Sequence, residues 1–276
     1  MDKKAEKILV TGATGLIGTR LLPRLSQAGY ECVALLREGR TISPDINTVK
    51  GDILDTGSLA NALEGVTAII HLAAVFRSQD TDLIWKTNLE GTQNLITAAK
   101  EFAPDARFIF ASTSHVYNAN NPHPGRETDS TNADHPYPAS KIAAEKELME
   151  SGLNWTILRF PFVYGDQDGH LEILPKHVSA AKWHPAMKIS TIHHIDIATA
   201  MELALEGAID NRICNITDDA PLSIYELLQI TGNAMESSSE PLQNPWYLHT
   251  DTTLARNLGF QPVIRTVHQA KEENLL

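Results

Sequence analysis

A tyrosine and a lysine four residues apart have the clearest potential for chemistry in this chain. They occur in Tyr137-Pro138-Ala139-Ser140-Lys141, where the proline favours a first helical turn and predicts a helix starting near Pro138. A spacing of four places Tyr137 and Lys141 on one helix face. A neighbouring ammonium lowers a tyrosine pKa from its usual value of about 10. Such a tyrosine can exchange a proton with a substrate hydroxyl or carbonyl, and a solvated surface pair is the alternative interpretation.

A second motif is a glycine loop over residues 11–18, in which Gly12, Gly15 and Gly18 follow a strand-like run and open a helical pattern. Glycines permit a tight turn and a close approach of the backbone to a pyrophosphate. The helix N-terminus behind them offers free N–H groups and partial positive charge to that anion. The strand–turn–helix context predicts that this loop, with Leu16 and Ile17, binds a dinucleotide. A simple turn is the competing interpretation.

The residues after the second and third predicted strands bear on the choice of cofactor. NAD-binding proteins usually place an acidic residue after the second strand, on the ribose hydroxyls. This chain has Arg37, followed by Arg40, and a guanidinium can hold a 2′-phosphate through two hydrogen bonds. The pattern favours NADP over NAD, although a solvated surface arginine fits it too. Asp52 and Ile53 close the third strand, where a carboxylate could accept a hydrogen bond from an adenine amino group.

The elements that must position these motifs follow from hydrophobic patterning. Short apolar runs predict strands at 7–11, 31–36, 48–51, 68–72, 107–111 and 155–159. Helical spacing predicts helices at 16–28, 58–63, 81–102 and 139–151. Strands that are apolar on both faces and alternate with helices indicate βαβ units and a buried parallel sheet. The predicted fold is α/β, with a Rossmann-type doubly wound sheet and a smaller C-terminal substrate lobe.

The alternation weakens after Gly165, which predicts a dinucleotide-binding domain over 1–165. A smaller substrate lobe is then expected over 166–276, with some of its segments returning to the first domain. Within that lobe, Ser223 and Glu226 have the spacing of a capping box and predict a helix over 223–232.

Bulk properties exclude several classes of function. The net charge is −11 and no basic stripe is present, which argues against nucleic acid as a partner. No apolar run approaches the roughly 18 residues of a membrane span, and no signal peptide is recognised, so a cytoplasmic protein is expected. Cys32 and Cys214 are expected to be buried thiols. His193 and His194 are adjacent on a predicted strand and would point to opposite faces, so no metal site is expected.

Several motifs in this order resemble the extended short-chain dehydrogenases/reductases of the NAD(P)-dependent epimerase/dehydratase type. The glycine loop, Tyr137 and Lys141 match that family's cofactor loop and catalytic pair. The segment 108–117 is similar to the strand that carries its third catalytic group, which the resemblance puts at Thr113, with a hydroxyl that would bond the reacting oxygen. Asn88 matches the family asparagine that organises a proton relay. The resemblance also implies that Lys141 holds the nicotinamide ribose and that Tyr137 and Lys141 both belong to the cofactor-binding residues.

Further positions follow from the same resemblance. Leu72, Ala73 and Ala74 match the loop beneath the cofactor, while Phe160 and Pro161 match the segment beside the nicotinamide. Segments 194–198 and 258–262 are similar to late family signatures, so the resemblance covers nearly the whole chain. It implies a nicotinamide cofactor and frequent homodimers, in which helices corresponding to 81–102 and 139–151 form a four-helix bundle.

Departures from the family pattern bear on the substrate. Nucleotide-sugar epimerases usually carry an asparagine at the position of Phe162 and an arginine near Ser190, while sugar-nucleotide dehydratases carry Asp and Glu where Ser114 and His115 stand. We therefore expect a small or partly hydrophobic carbonyl or alcohol as substrate, in contact with Phe76, Ser114 and Phe162.

The resulting hypothesis is an NAD(P)-dependent oxidoreductase that moves a hydride between the nicotinamide and a small carbonyl or alcohol through the Tyr–Lys pair. One alternative is a sugar epimerase with transient oxidation. Another is a non-catalytic redox sensor, against which the intact Tyr–Lys pair argues. The sequence leaves the substrate, the direction of reaction and its stereochemistry open.

Overall fold

The structure is a computed structural model that describes residues 6–133 and 135–276. Its strands are β1 (Lys7–Thr11), β2 (Glu31–Leu36), β3 (Asn47–Lys50), β4 (Ala68–His71), β5 (Arg107–Thr113), β6 (Asn154–Phe160), β7 (Phe162–Tyr164), β8 (Lys188–Ile189), β9 (Thr191–His193), β10 (Arg212–Asn215) and β11 (Leu222–Ser223). Its α-helices are α1 (Gly18–Gln27), α2 (Leu59–Leu63), α3 (Thr81–Trp85), α4 (Gly91–Phe102), α5 (Pro136–Met149), α6 (His170–Ala181), α7 (His194–Leu205), α8 (Ile224–Ile230), α9 (Thr253–Asn257) and α10 (Val267–Glu272).

A seven-stranded sheet with the order β10-β6-β5-β4-β1-β2-β3 confirms the predicted Rossmann-type fold. The strands β3, β2, β1, β4 and β5 pair in parallel. Ile8, Leu9 and Val10 of β1 are fully buried, as expected for a parallel strand at the centre of a covered sheet. The chain order reverses between β1 and β4, and this switch point brings the carboxyl ends of these two strands together at Thr11 and His71.

The observed bounds differ from the predicted ones where a motif reshapes the chain locally. Helix α1 begins at Gly18, two residues later than expected, because the glycine loop extends through Ile17. Helix α5 begins at Pro136 instead of Pro138, which places Tyr137 inside its first turn. The predicted helix 81–102 consists of α3 and α4, joined by the π-helical turn Lys86–Glu90.

The apolar run around Cys214, which also reads as a strand, forms a further strand of the large sheet. Strand β10 lies at the edge of the sheet beside β6 and contains the exposed Arg212 and the half-buried Ile213. An edge strand is buried less completely than a central one, which fits the exposure at the start of β10.

The chain forms two compact units, each with its own core. The first comprises the described residues of Met1–Ser112, Ala133–Leu158 and Met201–Ile213, and the second comprises Thr113–Asn132, Arg159–Ala200 and Cys214–Leu276. These ranges differ from the predicted 1–165 and 166–276. The chain leaves the first unit at the ends of β5 and β6, so segments 113–132 and 159–165 belong to the second unit. Segment 201–213 returns to the first, a kind of return that the prediction allowed.

The second unit confirms the predicted capping box. Ser223 accepts from the backbone N–H of Glu226, and the Glu226 side chain accepts from the backbone N–H of Ser223, at the start of α8. His193 and His194 do not share a strand, since His193 ends β9 and His194 begins α7. Their Nε2 atoms bond the Leu275 carbonyl at 2.8 Å and the Asp168 carboxylate at 2.9 Å.

Cys32 and Cys214 are both buried, and neither forms a disulfide in the described part of the chain. Among residues 6–133 and 135–276, every helix is too short or too polar to cross a bilayer.

Candidate functional site

A cavity of about 320 Å³ opens in the first unit where the central strands end. Its walls come from the segments that follow β1, β2, β3 and β4. Predicted cofactor-binding residues in this lining are Gly12, Gly15, Arg37, Asp52, Ile53, Leu72, Ala73 and Ala74. The carboxyl ends of parallel strands at a switch point are where α/β sheets bind their ligands. The cavity therefore lies where the glycine loop predicts a dinucleotide.

The glycine loop is folded so tightly that a side chain at Gly12 or Gly18 would overlap backbone atoms. Gly12 has φ +69°, and a Cβ there would lie 2.5 Å from the backbone nitrogen of Ala73. A Cβ on Gly18 would overlap the Gly12 carbonyl oxygen and the backbone of Ala13. The Gly15 N–H donates to the Gly12 carbonyl at 2.9 Å and closes the turn. The missing side chains let the loop backbone pack directly against the segment after β4 and against itself, which is the tight turn that a pyrophosphate-binding loop requires.

Leu16, Ile17 and Gly18 lie between the glycines that line the cavity and the body of α1. Ile17 is the N-cap of that ten-residue helix and contributes no side-chain hydrogen bond. No capping side chain therefore accepts a hydrogen bond from the first-turn N–H groups. These groups can donate to an anion bound at the N-terminus of α1.

The end of β2 supplies two guanidinium groups to the cavity. Leu36 is buried, while Arg37 and Arg40 are exposed and line the cavity. The Arg40 N–H donates to the Arg37 carbonyl at 3.1 Å, so both arginines belong to one turn. After β3, Oδ1 of Asp52 accepts from the Leu54 N–H at 2.9 Å, which holds the carboxylate at the cavity wall.

Beneath the cavity, a buried hydrogen-bond chain runs through His71 at the end of β4. The Thr92 hydroxyl donates to the Asn88 carbonyl at 2.6 Å, so its oxygen accepts from His71 Nε2 at 2.9 Å. His71 Nδ1 then carries no hydrogen and accepts from the Thr11 hydroxyl at 2.6 Å. Burial, with a smaller contribution from the charge of Lys141, lowers the pKa of His71 to about 3. The ring is therefore neutral near pH 7.

Asn88, the predicted relay residue, lies on the π-helical turn and is buried. Its Nδ2 donates to the Val75 carbonyl and to the Ser140 hydroxyl, each at 3.0 Å. Its Oδ1 accepts from the Val75 N–H at 2.7 Å. The Ser140 hydroxyl in turn donates to the Tyr137 carbonyl at 2.7 Å. Both amide hydrogens are thus used within the protein, and Asn88 connects the segment after β4 to the first turn of α5.

The ring of Tyr137 packs against Phe76, with 4.6 Å between the ring centroids. Phe76 is 45% exposed, and the Arg77 guanidinium lies 5.1 Å from its centroid. The predicted substrate contact Phe76 therefore lies directly against the predicted proton-transfer residue.

Lys141 is 2% exposed, and its Nζ lies 3.7 Å from the centroid of the Phe110 ring. Burial lowers the pKa of Lys141 from its ordinary 10.5 to about 7, while the charge of Glu145 acts in the opposite direction. A lysine in this state can change its charge near neutral pH, as amines that take part in proton transfer do.

Two predicted site residues of the second unit lie at the carboxyl end of β5, where Thr113 is the last residue of the strand and Ser114 follows it. Thr113 and Ser114 are buried, and the Thr113 Oγ1 accepts from the His115 N–H at 3.2 Å at the start of the 3-10 turn Ser114–Val116. Accepting this bond leaves the Thr113 O–H able to donate.

The other predicted residues of the second unit lie where β6 ends and β7 begins. Phe160 ends that strand and is buried, Pro161 is buried between β6 and β7, and Phe162 begins β7 half-buried. The Phe162 ring lies 5.8 Å from the ring of His170, whose Nδ1 donates to the Val163 carbonyl at 2.9 Å.

Several residues with clear structural roles were missed in the sequence. Ser140 stands inside the Tyr–Lys pentapeptide, and its place three residues after Tyr137 was a signal that could have been used. Glu145 is one helical turn beyond Lys141, a spacing that also could have been noticed. No local sequence pattern indicates that His71 forms hydrogen bonds with Thr11 and Thr92.

Comparisons with known proteins identify the family of this chain. The family model described as NAD dependent epimerase/dehydratase family matches residues 8–216. The chain therefore belongs to the NAD-dependent epimerase/dehydratase family, and its structural neighbours include short-chain dehydrogenases/reductases.

Relatives of known sequence are distant. Protein y4nG of Sinorhizobium fredii is 29% identical over 263 residues, which cover 91% of this chain and 65% of that protein, so this chain spans less than two thirds of its length. A 3-beta-hydroxysteroid dehydrogenase of Mycolicibacterium neoaurum is 26% identical, with 98% of this chain and 90% of that protein covered.

Solved structures of similar fold contain NAD. A short-chain dehydrogenase/reductase superfamily protein from Agrobacterium tumefaciens with bound NAD has a TM-score of 0.80 at 24% identity, with 97% of this chain and 95% of that chain covered. UDP-glucose 4-epimerase from Brucella ovis in complex with NAD has a TM-score of 0.81 at 24% identity, with 96% of each chain covered. These likenesses establish the fold.

Proposed function

We propose that this chain is an NAD(P)-dependent oxidoreductase that transfers a hydride between the nicotinamide and a small carbonyl or alcohol substrate. The observation that carries the proposal is the position of Tyr137 one helical turn before the buried Lys141 on α5, in the same unit as the glycine-loop cavity. Membership of the family supports the binding of a dinucleotide. Tyr137 and Lys141 support the further claim that the protein catalyses a reaction.

The cofactor supplies or accepts the hydride, and the chain's own residues handle the proton and the orientation. Tyr137 donates its proton to the carbonyl oxygen during reduction and takes it from the hydroxyl during oxidation. Protonated Lys141 stabilises the Tyr137 phenolate and binds the nicotinamide ribose. The Thr113 hydroxyl donates a hydrogen bond to the substrate oxygen. Asn88 acts as a positioning residue, because it reaches Tyr137 through Ser140.

The remaining predicted residues bind the cofactor. Gly12, Gly15 and Gly18, with Leu16 and Ile17, hold the pyrophosphate against α1. Asp52 and Ile53 would contact the adenine. Leu72, Ala73 and Ala74 would support the cofactor from below, and Phe160 and Pro161 would hold the nicotinamide. The tight Gly12 turn and the cavity lining support the first two parts of this assignment.

The substrate proposed is small and partly apolar. Phe76 offers an exposed aromatic face beside Tyr137, and Phe162 and Ser114 add one apolar and one hydroxyl contact. Ser190 is buried, and its hydroxyl oxygen accepts from the Thr250 N–H at 3.0 Å, which leaves a nucleotide diphosphate without the cation expected there. The relative that is a hydroxysteroid dehydrogenase supports an alcohol or ketone.

NADP is the proposed cofactor, because Arg37 and Arg40 both line the cavity after β2. Replacing both, as Arg37→Ala with Arg40→Ala, should raise the Kd for NADPH by about 10- to 150-fold, the equivalent of one lost charge-assisted hydrogen bond. The Kd for NADH should change by less than about twofold, because NADH has no 2′-phosphate for a guanidinium to hold. Fluorescence titration of both cofactors measures this, and Arg212→Ala removes an exposed arginine outside the cavity lining as control. If the Kd values for NADPH and NADH rose equally, the two arginines would not recognise a 2′-phosphate, and the preference for NADP would be wrong.

Net hydride transfer tests the function itself. Purified protein with NADPH and a panel of small ketones and aldehydes should consume one cofactor for each alcohol formed, followed by cofactor absorbance and product analysis. A sugar epimerase would convert its substrate without net change in the cofactor and would release retained dinucleotide on denaturation. A redox sensor would bind the dinucleotide and do neither. Either of these outcomes would overturn the oxidoreductase proposal.

A homodimer stays a prediction. The exposed apolar side chains of Leu83, Phe102 and Met149 on α3, α4 and α5 support it.

A further inference from the structure

Lys141 is held in surroundings that disfavour its charge. Its side chain is 2% exposed, and its Nζ lies over the ring of Phe110. An aromatic face attracts a cation, but it replaces only part of the hydration that the ammonium loses on burial. A buried ammonium at this point needs a further source of negative charge in order to stay protonated.

A buried carboxylate lies one helical turn away. Glu145 is also 2% exposed, and its spacing of four from Lys141 places the two side chains on one face of α5. Its Oε1 accepts a short hydrogen bond from the Ser112 hydroxyl on β5. The carboxylate is therefore fixed from the sheet side and faces the lysine from its own helix.

We propose that Glu145, held by Ser112, is a positioning residue that keeps Lys141 protonated and thereby sets the pH range over which Tyr137 gives up its proton. The inference rests on the proposed function, in which Tyr137 exchanges a proton with the substrate and protonated Lys141 stabilises the Tyr137 phenolate. Glu145 acts through Lys141 and is not itself a catalytic residue.

The charges around Lys141 support this assignment. Burial lowers the Lys141 pKa and the carboxylate of Glu145 raises it. His71 at the end of β4 is neutral near pH 7, because its pKa is about 3. The helical elements that pack against α5 are α3, α4 and the π-helical turn, and their charged side chains are exposed to solvent. These side chains are Asp82, Lys86, Glu90, Lys100 and Glu101. Glu145 is thus the buried negative charge beside the ammonium within this part of the described chain.

The first test is the pH profile of alcohol oxidation in Glu145→Gln, a variant that keeps the side chain's size and can still accept from Ser112. An opposite charge at close range typically moves a pKa by about 1–3 units. Loss of the carboxylate should lower the Lys141 pKa and weaken its support of the phenolate. The pH at which kcat rises should then increase by about one unit, and the cofactor KM should be nearly unchanged.

Matched variants separate charge from packing. Glu147→Gln removes the same charge from an exposed site of the same helix and should leave the pH at which kcat rises unchanged. Glu145→Asp keeps the charge and should restore most of the wild-type profile. If Glu145→Gln lowers kcat equally at every pH without changing the pH at which it rises, Glu145 is only a packing residue and the inference is wrong.

A second readout is independent of turnover. Because the folded pKa of Lys141 is below its unfolded value, the unfolded chain binds more protons between about pH 7 and about 10, and the free energy of unfolding rises with pH across that window. In Glu145→Gln the rise should begin about one pH unit lower than in wild type or Glu147→Gln. If this shift occurs in a protein that lacks turnover, Glu145 controls Lys141 although the proposed function fails. If turnover is present and neither shift occurs, the inference is overturned.

Discussion

Tyr137→Phe is expected to lower kcat by about 10²- to 10⁴-fold, the range that a positioned acid–base group contributes. The variant keeps the ring that packs against Phe76 at 4.6 Å and loses only the hydroxyl that exchanges the proton. Cofactor binding should change by less than about twofold, because the variant keeps the tyrosine ring and the lost hydroxyl acts on the substrate oxygen. Steady-state kinetics give kcat, and fluorescence titration gives the cofactor Kd.

A suitable control is Tyr225→Phe, which removes a phenolic hydroxyl from the exposed face of α8, where it accepts from Gln229 at 2.9 Å. That variant should retain wild-type kcat. If Tyr137→Phe also turned over at close to the wild-type rate, Tyr137 would not be the proton-transfer residue. The mechanism would then need another acid.

Gly12→Ala is expected to raise the cofactor Kd by about 100-fold, equivalent to roughly 2.7 kcal/mol. The new Cβ would lie 2.5 Å from the Ala73 backbone nitrogen, so either the loop or the segment after β4 must move. Both line the cavity, and a displacement of either one alters the surface that meets the pyrophosphate. The φ of +69° adds a backbone cost of about 1–2 kcal/mol for any residue with a Cβ.

Gly65→Ala isolates the backbone cost. Gly65 has φ +68°, nearly the value of Gly12, but a Cβ there would meet nothing within 4 Å. This variant should lose about 1–2 kcal/mol of stability and bind cofactor normally. Thermal unfolding beside cofactor titration measures both effects. Equal Kd changes in the two variants would mean that general destabilisation, and not the shape of the glycine loop, weakens binding.

The features that were predictable from the sequence are local ones. The strand, the glycine turn and the start of α1 form one continuous stretch, and each part leaves its own pattern of apolar residues or glycines. Inner strands such as β1 and β2 were located to the residue, because parallel strands buried on both faces read as unbroken apolar runs. The pair Tyr137 and Lys141 was recognised for the same reason, since its spacing lies within one helix.

The surroundings that control those motifs depend on contacts between distant segments. Thr11 meets His71 across 60 positions, Asn88 meets Ser140 across 52, and Ser112 meets Glu145 across 33. The order of strands in the sheet and the packing of α5 on it determine such partners. Neither of these produces a periodic pattern of residues that could be recognised in the sequence. The charge state of Lys141 illustrates the difference. Its identity and spacing are written in the sequence, but its pKa depends on burial, on the Phe110 ring and on a carboxylate fixed from a neighbouring strand. Desolvation and Coulomb energies depend on distances in space, so they exist only once the chain has folded.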